Sequence, residues 1–114
     1  MGAIGSATVT LHCYVHGSLT RDIQDWIDVS EALDDAARDG GFQVGAIVVE
    51  APGIHEGVPD GLATIVRTEL ENPGAIAVAV PHLGHLQAQG DALAWRMFVE
   101  RLTGRPLIVL RDAA

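Results

Sequence analysis

The sequence has no lysine and little positive charge of any kind. Its 114 residues include 15 aspartates and glutamates against seven basic residues, all arginine, for a formal net charge of −8. Non-specific affinity for nucleic acid comes mainly from basic side chains that displace counterions. A strongly acidic protein repels a polyanion on average. This charge balance disfavours DNA binding by the domain alone.

Cysteine is almost absent as well. The single cysteine, Cys13, excludes an internal disulfide. It falls within a predicted strand, where a buried free thiol is the expected state. This usage fits a reducing compartment.

Long apolar runs are also missing. No run approaches the roughly 18 residues of a membrane span, and the first residues lack the pattern of a secretory signal. We expect a cytoplasmic protein with no membrane partner. The length fits one domain, and a hydrophobic content of 48% allows it a core. We predict a flexible tail over residues 1–6 and a single domain over residues 7–112.

The periodicity of apolar residues predicts strands and helices in alternation. The first strand alternates, with Leu11, Cys13 and Val15 on one face and polar or aromatic residues on the other. Ser18 or Thr20 is placed to cap the helix that follows. The predicted strands cover residues 7–16, 42–49, 75–80 and 107–110, and the predicted helices cover 21–39, 59–72 and about 88–103.

The order βαβαβαβ predicts a three-layer α/β/α fold with a mainly parallel four-stranded sheet, because right-handed crossovers place helices on both faces. The uninterrupted apolar run over residues 75–80 is typical of a central parallel strand. In such sheets ligands bind beyond the carboxyl ends of the strands. The loops that follow Tyr14, Glu50 and Val80 are therefore the candidate site.

Two short motifs at these strand ends resemble those of serine recombinase catalytic domains of the resolvase and invertase type. That family has Tyr-x-Arg-x-Ser after the first strand, where Tyr14 and Ser18 match and His16 stands in place of the arginine. It has Leu-Asp-Arg-Leu-x-Arg after a later apolar strand. Here Leu83 and Leu86 match the two leucines. The resemblance implies a resolvase-like, flavodoxin-like topology with strand order 2-1-3-4.

The arginines of the second motif are missing from this sequence. Gly84 stands where the family has aspartate, His85 where it has the first arginine, and Ala88 where it has the second. A further family arginine precedes the second helix, and residues 57–62 contain none. Attack on a phosphodiester builds negative charge that fixed guanidinium groups stabilise. The resemblance therefore implies a catalytically inactive relative that serves as a protein-interaction or regulatory module, and DNA cleavage is disfavoured.

A different class of function stays open at the same residues. Ser18 either caps a turn or acts as a nucleophile with His16 or His85 as its base, which would make the chain a small enzyme or a ligand-binding protein. Tyr14 completes this candidate site. Four histidines would converge if their strands are neighbours, namely His12, His16, His82 and His85. Neutral imidazoles are metal ligands, so a metal site is a further alternative, although no carboxylate or cysteine partner is predicted. We expect neither a metal nor a cofactor.

The third predicted helix is apolar around nearly its whole circumference, more than packing on one sheet requires. In the family it resembles, the later helices contribute to subunit contacts. We therefore predict a homo-oligomer or a protein partner bound through Trp95, Phe98 and Val99. The acidic side of the first helix is expected to be a solvated face.

Overall fold

The computed structural model describes residues 8–52, 58–88 and 90–111. The tail predicted over residues 1–6 lies outside these ranges, and so do residues 53–57 of the loop after the second strand. Within the described ranges, no helix combines the length and the apolar character that crossing a membrane requires.

Four parallel strands form one sheet. They are β1 (Thr10–His16), β2 (Gln43–Glu50), β3 (Ile76–Val80) and β4 (Ile108–Val109). Their order in the sheet is β2-β1-β3-β4, and all three pairings are parallel. The predicted fold class and strand order are confirmed. The sheet places the ends of β1 and β3 side by side, which positions the candidate site.

Helices cover both faces of the sheet. Helix α1 (Ile23–Gly40) packs on one face, and α2 (Asp60–Glu71) and α4 (Ala92–Thr103) pack on the other. Residues of β1 point alternately to the two cores: Leu11, Cys13 and Val15 contact the α1 layer, whereas Tyr14 contacts the opposite layer. The predicted alternation is confirmed. Burial raises the pKa of the free Cys13 thiol to about 12, so this thiol stays protonated at neutral pH.

Helix α1 begins later than predicted, and its cap is a different residue. A single 3₁₀ turn, Gly17–Leu19, follows β1, so neither Ser18 nor Thr20 caps the helix. Asp22 is the N-cap and forms a reciprocal capping box with Asp25. The helix ends at Gly40, and its C-cap is Gly41, whose φ of 72° is the left-handed conformation that glycine adopts most easily.

The third predicted helix begins later than predicted, and a short helix that was not predicted precedes it. Residues 84–87 form the short helix α3 (Gly84–Gln87), and α4 begins at Ala92 rather than at Ala88. Gly90 has a φ of 140°, which no helix accommodates. Asp91 then restarts the chain as an N-cap, its carboxylate accepting the backbone N–H groups of Leu93 and Ala94. The predicted start of this helix at about residue 88 was wrong, because this break lies inside the predicted range, whereas its end at Thr103 is confirmed.

Strand β2 is more exposed than its apolar sequence predicts. It is the edge strand of the sheet, and four of its eight residues are exposed. By contrast, all five residues of β3 are buried, as predicted for the central apolar strand. The difference follows from position, because a helix layer on each face still leaves an edge strand open at its side.

Candidate functional site

The carboxyl ends of β1 and β3 bring His16 and His85 into direct contact. The backbone N–H of His16 donates to Nδ1 of His85 at 2.8 Å, and both residues are buried. Because Nδ1 of His85 accepts this bond, its ring proton is assigned to Nε2. The His85 side chain, which stands in the position of a family arginine, is therefore turned inward. It joins the segment after β3 to the end of β1.

Ser18 lies against the ring of His16. Its Oγ is 2.7 Å from His16 Nδ1, and its backbone N–H donates to the same nitrogen at 3.3 Å. An N–H donor requires an unprotonated acceptor, so Nδ1 of His16 is assigned as the acceptor and the Ser18 hydroxyl as a donor. This is the hydrogen bond that a serine nucleophile makes with a general base. The same contacts also make His16 the N-cap of the 3₁₀ turn.

Three of the four candidate histidines cluster, and the fourth does not. The rings of His82 and His85 meet edge to face with centroids 4.6 Å apart, next to His16. His12 lies within β1 away from the strand end, and its Nδ1 accepts the backbone N–H of Ala46. Among the described residues, no group of three or more histidine, cysteine, aspartate or glutamate side chains is arranged to hold a metal ion. The predicted convergence of all four histidines was wrong for His12.

The electrostatics of the cluster favour neutral imidazole at His85. Burial, followed by the neighbouring His82 and His16, lowers the pKa of His85 to about 4. At neutral pH this side chain therefore carries no charge, and it offers one N–H donor rather than the fixed cationic fork of an arginine.

Tyr14 is fully buried behind the site, and its partner is a residue that the sequence did not single out. The hydroxyl of Tyr14 donates to Oε1 of Glu50 at 3.0 Å. Burial and the adjacent Glu50 carboxylate raise the pKa of Tyr14 above its ordinary value. Glu50 ends β2 in register with His16 and is 0% exposed. One signal was present in the sequence, namely a lone acid at the end of the apolar run Val44–Val49.

Glu50 also caps helix α2 from a distance. The N-cap of that helix is Pro59, which makes no side-chain cap hydrogen bond. Instead, the backbone N–H of Gly61 donates to both carboxylate oxygens of Glu50 at 2.9 and 3.0 Å. The N–H of Leu62 is 3.4 Å from Oε1. A Cβ at residue 61 would lie 3.0 Å from Glu50 Oε1 and 3.1 Å from Tyr14 Cε1, so this approach depends on glycine.

A small cavity beside the histidines is lined in part by an arginine that lies outside both motifs. The cavity has a volume of about 100 Å³, and its lining includes His82, His85 and Arg111. It also includes Asp25 and Asp28, and a guanidinium nitrogen of Arg111 is 3.4 Å from the carbonyl oxygen of Asp28. Among the described residues that line this cavity, two carboxylates therefore accompany one guanidinium.

The predicted interface residues occupy different environments. Val99 is buried in the core beneath α4, so it is not a surface residue as predicted. Trp95 and Phe98 are half-buried and pack edge to face with ring centroids 5.9 Å apart. The exposed apolar side chains of α4 are instead Leu93, which is 65% exposed, and Met97.

A groove of about 530 Å³ runs along this outer face of α4. Its lining is Ala94, Met97, Phe98, Arg101 and Leu102. The pattern that misled the prediction is the apolar circumference of the helix, which does not by itself show which side faces the sheet.

The fold is that of serine recombinase catalytic domains, and it matches solved structures of that class along most of the chain. One is the C-terminal catalytic domain of ISC1926 TnpA, an IS607-like serine recombinase. It has a TM-score of 0.67 and 15% sequence identity, covering 92% of this chain and 69% of that one. Another is the N-terminal catalytic domain of TP901-1 integrase, with a TM-score of 0.61 and 21% identity, covering 89% and 76%. The resolvase-like fold that the two motifs implied is thereby confirmed.

The amino-acid sequence itself matches no protein-family model and no curated protein.

Proposed function

We propose that this chain is a resolvase-like domain that does not cleave DNA and that acts as a protein-interaction module, associating with itself. The observation that carries the proposal is the hydrogen bond between His16 N–H and His85 Nδ1. Two motif positions that hold arginines in the family are filled here by histidines. The imidazole of His85 is buried and neutral, and its Nδ1 accepts a backbone hydrogen bond.

The chemistry of phosphodiester cleavage supports this proposal. Charge that develops on non-bridging oxygens needs fixed donors aimed at it, and guanidinium groups provide them in pairs. Two arginines near this site are bonded to main-chain carbonyls: Arg111, which shares a cavity with His85, to that of Asp28, and Arg21 to that of Ser18 at 3.1 Å. The surrounding Asp25 and Asp28 and the net charge of −8 add repulsion toward a polyanion.

A second candidate function rests on the 2.7 Å contact between Ser18 Oγ and His16 Nδ1. A serine that donates to an imidazole is arranged for nucleophilic attack on an acyl group. The second candidate is therefore a small serine-dependent hydrolase, for which Ser18 is the nucleophile and His16 the base.

The reactivity of Ser18 separates these functions. We expect the full chain to form no covalent adduct with nicked or supercoiled DNA, and none with a fluorophosphonate probe, as measured by intact-protein mass spectrometry. The matched control is Ser18→Ala. A fluorophosphonate adduct that Ser18→Ala abolishes would support the hydrolase instead. A DNA adduct that depends on Ser18 would contradict the proposal.

The interaction surface that we propose is the outer face of α4. Leu93 and Met97 lie one helical turn apart, so they share a face, and the apolar groove continues along it to Phe98 and Leu102. Contiguous exposed apolar surface of this kind marks contact sites in soluble proteins. A two-fold pairing of α4 with α4 would bury both copies of each side chain, one from each subunit.

Lysine at Leu93 and Met97 is expected to weaken self-association by about 100-fold or more. Burying each such side chain is worth about 1.5–3 kcal/mol, and each 1.4 kcal/mol is about tenfold in Kd. Analytical ultracentrifugation of the Leu93→Lys, Met97→Lys variant measures this effect. Leu70→Lys is the control, since Leu70 lies on α2 and is also highly exposed. A monomeric wild-type protein, or a folded double variant of unchanged mass, would refute the α4 contact.

A further inference from the structure

The long edge of the sheet is formed by β2. Among the described residues, this strand pairs with β1 alone. The opposite edge, β4, has only two residues, whereas β2 has eight. An edge strand presents a row of backbone N–H and C=O groups that can pair with another strand. The β2 edge is therefore the longer template for strand addition.

The usual protections against strand addition are sparse on β2. Residues 42–49 contain no ionisable side chain and no proline, the two residue types that most often block an edge. One protection is present: the register shifts between Leu11 and Cys13 of β1, where β2 has an extra residue. This bulge lies in the amino-terminal half of the strand. The pairing of Ile47, Val48 and Val49 with β1 is regular.

Exposed apolar side chains of helix α1 flank this regular half. Ile23, which is 78% exposed, and Ile27 lie one turn apart in the first turns of α1. Acidic residues of α1 line a cavity with Leu110 and Arg111 beyond β4. Ile23 and Ile27 lie on the flank of α1 turned away from that cavity, which is the β2 side of the sheet, and the exposed Asp34 and Arg38 follow them along the same flank. Val49 is exposed on the same sheet face as Ile47, which packs in the α1-side core.

We propose that β2 of a second copy of this chain pairs antiparallel with β2 around Ile47–Val49, which joins two sheets into one of eight strands. Charge favours a second copy of the chain as the partner of this edge. Close to a two-fold axis a charged side chain meets its own counterpart, and two copies of a protein of net charge −8 repel each other on average. Residues 42–49 themselves carry no charge to oppose, and Ile23, Ile27 and Val49 would cover one another across the axis.

This inference builds on the proposed self-association, but it uses a surface distinct from α4. If both contacts form and their two-fold axes intersect at right angles, the wild-type protein closes as a tetramer. Val49→Lys and Ile23→Lys, each a charge placed at the two-fold contact, are then expected to halve the mass. The Leu93→Lys, Met97→Lys variant is expected to halve it through the other contact, and all four substitutions together should give a monomer. Leu70→Lys remains the control, and circular dichroism checks each fold.

A second measurement reports the contact directly. Nitroxide labels on Val49→Cys should show strong dipolar coupling in the assembled protein, because paired strands lie about 5 Å apart. A label on Leu70→Cys should not show this coupling. An unchanged mass for folded Ile23→Lys, or uncoupled labels at residue 49 in the assembled protein, overturns the β2 pairing and leaves the α4 proposal standing. Loss of the α4 contact alone leaves a dimer through β2. A monomeric wild type overturns both.

Discussion

Replacing Glu50 by alanine is expected to lower the free energy of unfolding by about 3 kcal/mol or more. The carboxylate is fully buried and accepts hydrogen bonds from Tyr14 Oη and from the N–H groups of Gly61 and Leu62. Each donor left unsatisfied in the interior costs about 1–3 kcal/mol. Denaturant unfolding monitored by circular dichroism measures the loss.

Two further variants test the cause of this loss. Glu50→Gln keeps one acceptor oxygen and is expected to lose less stability than Glu50→Ala. Glu71→Ala removes an exposed acid from the last turn of α2 and is expected to change stability by less than about 0.5 kcal/mol. Equal stability of Glu50→Ala and the wild type would show that the Glu50 network does not support α2.

The protein is expected to lose on the order of 3 kcal/mol of stability through His85 alone as the pH falls from 7 to 4. The unfolded chain binds a proton at this residue near the ordinary pKa of 6.5, whereas the folded chain does so only near 4. The unfolded state therefore holds more protons between these values, and stability decreases as the pH falls through that window. One pKa unit corresponds to about 1.4 kcal/mol.

Carboxylates titrate in part of the same window, so the measurement is a difference between two proteins. His85→Asn retains a side-chain oxygen that can accept the His16 N–H but does not titrate. Urea unfolding of both proteins at several pH values gives two curves, and the wild-type curve is expected to fall more steeply between pH 6.5 and 4. Parallel curves would mean that His85 protonates as easily in the folded protein as in the unfolded one.

Much of the fold was predictable because it depends on patterns that repeat along the chain. The alternation of Leu11, Cys13 and Val15 gave β1 its two faces, and the apolar run ending at Val80 marked the central strand. Strand order followed from the two motifs, and parallel topology then placed His16 beside His85. These features were predictable because they depend on the local sequence and on the connectivity of the strands and helices.

The remaining features depend on contacts between distant residues. Glu50 reaches Tyr14 across 36 positions and Gly61 across 11, and Arg111 reaches the carbonyl of Asp28 across 83. The periodicity of apolar residues along the sequence does not reveal such contacts. The burial of Val99 was missed for a related reason, because only the packing of α4 on β3 decides which side of an apolar helix is covered.

Because Gly61 approaches Glu50 closely, a substitution at one of these positions constrains which residues the other can accept. A side chain added at residue 61 would need a shorter acid at residue 50, and a shorter acid would withdraw the acceptor that the start of α2 requires. Neither position can drift alone without cost, although nothing in their spacing along the chain marks them as a pair. Among relatives of this domain, the two residues should therefore be inherited as a unit, even where the motifs around Ser18 have diverged.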